Sequence, residues 1–414
     1  MMRGTDEIVA VAEELLSKRF GGTQSLTDIE KLGGSGTAIV LRARVAPSPF
    51  LQQRSVVLKY TPATNDSMDD AALIREVVSY QFTTSLPKDV RPGPVLLAYD
   101  IDSRLLVISD SGEGETFADL LNYSGPEQRL QLLRNLGQSI GRMHAGTADR
   151  EQHFDILLTR MLSRYPDTAE LHEMRDASLL VSIDNGIELL SNADVQVPHV
   201  VRDFATDAQR RLASGQHRAF TPFDLSPDNI IYAERTQFLD YEWAGFRDST
   251  FDVACVVAGF PQFLFPHTIT DVEADAFIES WVREVNGIWP NVNNRVRLQA
   301  RIVTALIGWA LASISYLYFG SMNQLVSELG NRPDSDIPDA ATEALATANI
   351  DPFDDMLSNP SLGSIVGEGS IARQDLLETF EALTRYASRG DDPRFPEVAA
   401  FANSVVERLQ AMEQ

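Results

Sequence analysis

Short apolar runs separated by polar turns fill the first hundred residues, a pattern typical of strands. Segments 37–45 and 54–60 are rich in Val, Ile and Leu, and segments 95–99 and 105–108 repeat the pattern. Between the two pairs, residues 69–82 carry apolar side chains at helical spacing. The pattern therefore predicts a β-rich N-terminal part that contains one long helix.

Long helical periods replace this pattern after Gly112 and Gly114, first over residues 126–144 and finally over 372–414. Residues 316–360 contain several prolines and acids, which favours an irregular stretch. We therefore expect an α+β fold of two lobes. The small β-rich lobe spans 1–110, and the large helical lobe spans 111–414.

The segment 302–319 is apolar and long enough to cross a bilayer. Thr304, Gly308 and Ser313 dilute its hydrophobicity, no second such segment exists, and the N-terminus lacks the pattern of a secretory signal. We therefore interpret 302–319 as a buried core helix. The expected protein is soluble and cytoplasmic, without a membrane partner.

The charge balance narrows the range of partners. Against 35 Lys and Arg stand 59 Asp and Glu, giving a net charge of −24 with no basic run. Such a surface repels nucleic acid, so no nucleic-acid partner is expected. It leaves open a cationic small molecule, although most surface acids only keep a protein in solution. The single cysteine, Cys255, excludes a disulfide framework or a cysteine zinc site.

A glycine-rich stretch precedes the first predicted strand and includes Gly34, Ser35 and Gly36. Glycines let backbone amides approach phosphate oxygens closely. For the stretch by itself, an ordinary glycine-rich hairpin turn is the commoner explanation. It is not a Walker A loop, because no Gly-Lys-Ser/Thr follows.

Lys59 lies inside an apolar strand, where an ammonium needs either a partner or a path to water. Seventeen residues later, Glu76 sits among apolar neighbours on the predicted helix. The two side chains could form a pair. Taken alone, Glu76 is better explained as a solvated helix residue.

Two acids and an amide, Asp224, Asn229 and Asp240, are separated by four and ten residues. Apolar residues after Asn229 and before Asp240 predict a hairpin that brings these two side chains near each other. Asn229 and Asp240 could then hold Mg²⁺ on nucleotide phosphates, and Asp224 could receive a hydroxyl proton. Each acid alone could simply face water, but the ordered set makes that explanation weak.

The order of these features resembles the aminoglycoside phosphotransferase and choline kinase superfamily, which has a protein-kinase-like fold. The resemblance runs from about residue 31 to about 257, and its most specific part is 240–254. It implies phosphorylation of a small-molecule hydroxyl with ATP and Mg²⁺; aminoglycoside-like, amino-alcohol and sugar acceptors are all open. It also implies Asp224 as the catalytic base, and Asn229 and Asp240 as metal ligands. The residues it implies for nucleotide binding are Gly34, Ser35, Gly36, Lys59, Glu76, Ser109 and Ser111.

The same resemblance implies supporting roles for His144 and Asp252, the latter as a hydrogen-bond partner of the catalytic loop. The family usually has His two residues before the catalytic Asp, whereas this chain has Pro222 followed by Phe223. A catalytically degenerate, nucleotide-binding scaffold is therefore the main alternative. An atypical protein kinase is a further one, made weaker because no Asp-Phe-Gly or Ala-Pro-Glu triplet is found at the expected positions.

Overall fold

The computed structural model describes residues 3–33, 38–64, 68–262, 268–330 and 368–411. The chain forms two compact units. The first unit combines Met1–Thr116, Gln152–Ala169 and Asn229–Ala244, and the second combines Phe117–Glu151, Glu170–Asp228 and Gly245–Gln414. The predicted division into 1–110 and 111–414 stays a prediction, because it cuts the chain once whereas each unit joins several segments.

The described strands are β1 Leu26–Leu32, β2 Ile39–Val45, β3 Ser55–Tyr60, β4 Leu96–Asp100, β5 Leu105–Ser109, β6 Glu115–Thr116, β7 Arg218–Thr221, β8 Ile230–Tyr232, β9 Thr236–Phe238 and β10 Gly245–Asp248. The first five form an antiparallel sheet in the order β1-β2-β3-β5-β4. Four of them confirm predicted strands; β1 was not predicted.

The described α-helices are α1 Thr5–Phe20, α2 Met68–Ser85, α3 Phe117–Tyr123, α4 Pro126–Thr147, α5 Glu151–Leu162, α6 Ala169–Asn192, α7 His199–Ala213, α8 Thr250–Val257, α9 Asp271–Val285, α10 Arg295–Phe319, α11 Met322–Gly330, α12 Glu368–Ser388 and α13 Phe395–Ala411. Short 3₁₀ turns lie at Pro166–Thr168, Pro227–Asn229 and Pro290–Asn293. A β-rich part followed by long helices confirms the predicted α+β class.

In the first unit, α1 supplies one wall of the core. Its buried stripe of Ile8, Ala12 and Leu16 repeats every four residues, so these side chains share one helical face. They join the buried side chains of β2, β3 and β5 in one apolar cluster. This burial fixes β3, the strand that carries Lys59.

In the second unit, α4 packs along α9, and α12 packs along α13. At the centre, α10 contacts α7, α8 and α12. A side chain at Gly186 of α6 would overlap the backbone of Leu311 in α10, so the glycine lets these two helices approach closely. Among the described helices, α10 alone is long and apolar enough to cross a bilayer, and 89% of its most apolar window is buried. The prediction of a buried core helix is confirmed.

The irregular stretch expected within residues 316–360 does not begin before residue 331. Residues 316–330 are not irregular, because α10 continues to Phe319 and α11 follows at once. Gly320, in the left-handed conformation with φ 93°, ends α10 and allows the chain to turn. The rest of that predicted stretch, 331–360, lies outside the described residues.

Candidate functional site

The Lys59 side chain connects three elements of the first unit. Its Nζ donates to Glu76 Oε1 at 2.7 Å and to Asp240 Oδ1 at 2.9 Å. Lys59 comes from β3, Glu76 from α2, and Asp240 from the segment after β9. The predicted pairing of Lys59 with Glu76 is confirmed, and Asp240 completes a cluster of one cation between two carboxylates.

Burial strengthens the electrostatic interactions within this cluster. The Glu76 side chain is 3% exposed, Lys59 15% and Asp240 33%. Burial disfavours the ammonium, yet Asp240 and Glu76 outweigh it and hold the pKa of Lys59 well above its ordinary value. Burial raises the pKa of Glu76 to about 7, although Lys59 opposes that shift. Lys59 is therefore a fixed positive charge whose least buried partner is Asp240.

A hairpin sets the position of Asp240. Strands β8 and β9 pair with Ile230 opposite Phe238, and Leu239 then donates its N–H to the Asn229 carbonyl at 2.8 Å. The predicted hairpin between Asn229 and Asp240 is confirmed. Asp240 itself has φ 58°, a left-handed conformation that is uncommon for a residue with a side chain.

Two tyrosines support that conformation. The ring of Tyr80 meets the ring of Tyr241 edge-on, with centroids 4.8 Å apart. The Tyr80 hydroxyl also forms a hydrogen bond with the Asp240 backbone. Beneath them, Gly93 lies so close to Phe238 and Tyr241 that a Cβ would overlap the Phe238 carbonyl oxygen. This packing holds the strained residue in place.

The donor set at this hairpin suits Mg²⁺ better than a transition metal. Within the described residues, no group of three His, Cys, Asp or Glu could hold a metal ion. Magnesium commonly uses only one or two carboxylates, together with waters and substrate phosphates. Lys59 occupies Asp240 Oδ1, and the described part of the chain gives the Asn229 side chain no hydrogen bond. An amide oxygen and a carboxylate oxygen are thus available, which fits such an ion.

Ser109 and Ser111 belong to a segment that is tied to the sheet. Ser109 accepts a hydrogen bond from Val95 N at 2.9 Å, and Ser111 Oγ donates to Gln237 Oε1 at 3.3 Å. Between them, Asp110 Oδ1 accepts from Arg42 Nη2 at 3.3 Å, and Asp110 Oδ2 accepts from Ser55 Oγ at 2.8 Å. The segment is held by an ion pair and several hydrogen bonds.

Asp224 belongs to the second unit and follows β7. Its backbone N–H donates to the Pro222 carbonyl at 2.8 Å, across Phe223, whose φ is 65°. This is a γ-turn with positive φ at its centre, the rare and strained form. Asp224 is half-buried, and its Oδ1 accepts from Ser226 N at 3.3 Å.

Buried side chains surround Phe223. The Trp309 ring stacks on the Phe223 ring with centroids 4.9 Å apart, and Arg247 Cζ lies 4.8 Å from the same centroid. The Phe223 backbone opposes the rise in the pKa of Asp252, so this carboxylate lies close to the loop, and the hydrogen bond expected between them stays a prediction. The chain therefore surrounds the residue before Asp224 with an aromatic ring and a guanidinium.

His144 has a defined structural role in the second unit. Trp281 Nε1, which can only donate, lies 3.0 Å from His144 Nδ1. His144 Nδ1 must therefore accept, so the imidazole is neutral and its Nε2–H donates to Asp252 Oδ2 at 3.1 Å. Burial raises the pKa of Asp252 even though His144 lowers it. The supporting role expected for His144 is consistent with these contacts.

The structure brings Lys59, Glu76 and Asp240 into direct contact, and it places Asn229 at the same open end of the β8–β9 hairpin as Asp240. Gly34, Ser35 and Gly36 lie outside the described residues. Asp228, which precedes Asn229, is exposed.

Several residues at the site were not predicted from the sequence. Tyr80 could have been found, because it lies four residues after Glu76 and so shares its helical face. Arg247 and Trp309 carry no such signal, since 24 and 86 residues separate them from Phe223.

No family model and no curated protein matches the chain. Among solved structures, it is similar to the choline kinase LicA from Streptococcus pneumoniae, with 14% identity, TM-score 0.40, and coverage of 83% of this chain and 100% of that one. A choline kinase from Cryptosporidium parvum Iowa II gives 9% identity, TM-score 0.44 and coverage of 83% and 94%. The GDP complex of wild-type aminoglycoside 2'-phosphotransferase-IIIa gives 12% identity, TM-score 0.40 and coverage of 85% and 99%. Because these identities are low, the proposed function rests on the residues of the chain itself.

Proposed function

We propose that this protein is a small-molecule kinase that uses ATP and Mg²⁺ to phosphorylate a hydroxyl group. The observation that carries the proposal is the contact of Lys59 with both Glu76 and Asp240. A buried lysine with a permanent charge suits nucleotide phosphates, and a carboxylate on each side orients it.

The remaining roles follow the order of the sequence. Lys59 binds the α- and β-phosphates and Glu76 positions it. Asn229 and Asp240 hold Mg²⁺, which supplies charge neutralisation on the phosphates. Asp224 receives the acceptor's proton or orients its hydroxyl. The other nucleotide contacts are assigned to Gly34, Ser35, Gly36, Ser109 and Ser111.

Nucleotide binding tests the first half of the proposal. Lys59→Met should weaken binding of a non-hydrolysable ATP analogue with Mg²⁺ by roughly 10- to 100-fold, because it removes a charge-assisted contact. Lys88→Met is the matched control, since Lys88 is an exposed lysine of the same unit. Isothermal titration measures both. Equal affinity in the two variants would contradict the assignment.

Turnover tests the second half. A thermal-shift screen of metabolites and aminoglycosides, with the ATP analogue present, identifies acceptors for a kinase assay. Asp224→Asn and Asp240→Ala should then lower kcat by roughly 10²- to 10⁴-fold without unfolding the chain. Unchanged ATP consumption in folded Asp240→Ala would exclude the function.

The alternative of a binding or scaffold protein is favoured by one observation. Pro222 and Phe223 stand where the resembled family has its usual histidine and the residue after it. Nucleotide binding without turnover on any acceptor would support this alternative. Transfer of labelled phosphate to protein, and not to small molecules, would instead indicate a protein kinase.

A further inference from the structure

A basic cavity lies in the second unit. Its volume is about 250 Å³, close to the lower end of small-ligand pockets. It opens among the end of α7, the residues before β7, and the start of α10. Its polar lining consists of Arg211, His217, Asn291, Arg297 and Arg301, and apolar side chains complete the wall.

The charge of this lining is opposite to that of the protein. Three guanidiniums and an imidazole line the cavity, and none of the described lining residues carries a carboxylate. The whole chain has a net charge of −24. Composition therefore does not explain why three arginines converge on one cavity.

Two of the arginines share one carboxylate. Arg211 Nη1 and Arg301 Nη2 both donate to the same oxygen, Asp248 Oδ2, at 3.3 and 2.7 Å. Arg211 also contacts Asp207, a carboxylate that Arg210 contacts as well. Negative charge in this network is thus divided among several cations.

Unused donor groups remain on two of the arginines that line the cavity. Within the described residues, the exposed Arg297 side chain has no ion pair or hydrogen bond, and the buried Nε of Arg301 has no hydrogen-bond partner. Burial, together with the nearby charge of Arg211, lowers the pKa of Arg301 to about 9. An anion in the cavity would pair with the unused guanidinium of Arg297 and would reduce the repulsion between Arg211 and Arg301.

The arginines at the start of α10 do not stabilise that helix. Arg295 and Arg297 occupy the first turn of α10, where the partial positive charge of the helix end disfavours cations. Helix stability therefore gives no reason for arginine at position 297, whereas recognition of an anion in the cavity does.

We propose that this cavity binds the oxyanion group of a small molecule, a phosphate or a carboxylate. Guanidiniums match both groups by paired N–H donors, and a cavity of this size admits a small ligand rather than a macromolecule. The site is independent of the proposed kinase function, because none of its lining residues has a role there.

Anion-dependent thermal stability of the full chain tests the proposal. Inorganic phosphate and acetate are compared with chloride at pH 7.5 and equal ionic strength, since ligands that bind the folded state raise Tm. Arg297→Gln removes a lining charge, and Arg295→Gln removes the same charge from an exposed neighbour that does not line the cavity. Unchanged circular dichroism spectra verify that both variants are folded.

We expect phosphate or acetate to stabilise the wild type and Arg295→Gln. Arg297→Gln should raise the Kd of the effective anion by about tenfold. The more effective anion identifies the head group. Equal responses of the two variants would overturn the proposal, because they would place anion binding elsewhere, including at Lys59. Stabilisation no greater than that by chloride would overturn it as well.

Discussion

The guanidinium of Arg247 lies over the ring of Phe223, with Cζ 4.8 Å from the ring centroid. Phe223 immediately precedes Asp224 and has a positive φ, which costs about 1–3 kcal/mol for such a residue. A cation–π contact in a buried setting contributes about 2 kcal/mol, and stacking on Trp309 adds to it. The contacts on the side chain are thus of the right size to hold a strained backbone.

Removing the guanidinium should therefore misplace Asp224. We expect Arg247→Met to lower kcat of the proposed kinase by roughly 10- to 100-fold while KM for ATP stays nearly constant, since misplacement of a reacting group affects the chemical step. Arg247→Lys keeps the charge and should recover part of kcat. Steady-state kinetics provides the measurement. A loss confined to thermal stability, with kcat unchanged, would show that Arg247 does not position the loop.

A methyl group at Gly93 should disturb the segment that carries Asp240. The Cβ of Gly93→Ala would overlap the Phe238 carbonyl oxygen and lie 2.6 Å from the Tyr241 hydroxyl. We expect a loss of about 1–3 kcal/mol in the free energy of unfolding and weaker binding of the ATP analogue. Gly287→Ala is the control, because nothing lies within 4 Å of its Cβ. If urea denaturation gave the same midpoint for both variants, the packing described for Gly93 would be wrong.

Glu76 should give the protein a pH-dependent stability. Its pKa rises from an ordinary 4.5 to about 7 on folding, so between these values the folded chain retains a proton that the unfolded chain releases. The contribution of Glu76 to stability therefore falls as pH increases across this window, by at most about 1.4 kcal/mol per pH unit.

The test compares urea denaturation of the wild type and Glu76→Gln at pH 5.5 and pH 8. Glutamine has no titrating proton, so the stability of the wild type relative to the variant should decrease by about 2 kcal/mol between these two values. Other titrating groups cancel in this difference. A difference that stays constant, or that grows with pH, would contradict the raised pKa.

Cys255 should react only after unfolding. It is the single cysteine, it is fully buried, and burial, followed by the charges of Asp252 and Asp224, raises the pKa of its thiol well above 9. Since the thiolate is the reactive form, iodoacetamide at pH 8 should label the native protein at least about 100-fold more slowly than the urea-unfolded protein. Mass spectrometry measures the rates, with Cys255→Ser as the blank. Rapid stoichiometric labelling of native protein would show that the thiol is accessible.

The local pattern of apolar residues was sufficient to predict most strands and the helix α2 of the first unit. Strand β3, which carries Lys59, alternates buried and half-buried side chains, and most side chains of α2, which carries Glu76, are buried, so both elements have a strong apolar signal in the sequence. Strand β1 was not predicted because most of its side chains are exposed or half-buried, and because an irregularity near Asp28 breaks its alternation. A strand at the edge of a sheet leaves little hydrophobic signal in one sequence.

Most contacts between residues far apart in the sequence could not be predicted from the pattern of apolar and polar residues. The sequence indicated Lys59, Glu76 and Asp240 as members of an ordered set, and the need of a buried charge for a partner suggested the contact of Lys59 with Glu76. The contact of Lys59 with Asp240 was not predicted. By contrast, the surroundings of Phe223 come from β10 and α10, which have no shared spacing with it. The basic cavity was missed for the same reason, since its arginines are dispersed between residues 211 and 301.

The position of α10 in the chain determines the order in which its packing contacts can form during synthesis. This helix contacts α7 and α8, which precede it, and α12, which begins about 50 residues after its end. At typical synthesis rates, several seconds pass between the emergence of α10 and the emergence of α12. During that interval the ribosome presents a helix with the composition of a membrane span and an incomplete set of partners. Until α12 emerges, α10 therefore lacks one of the helices that cover it in the finished protein.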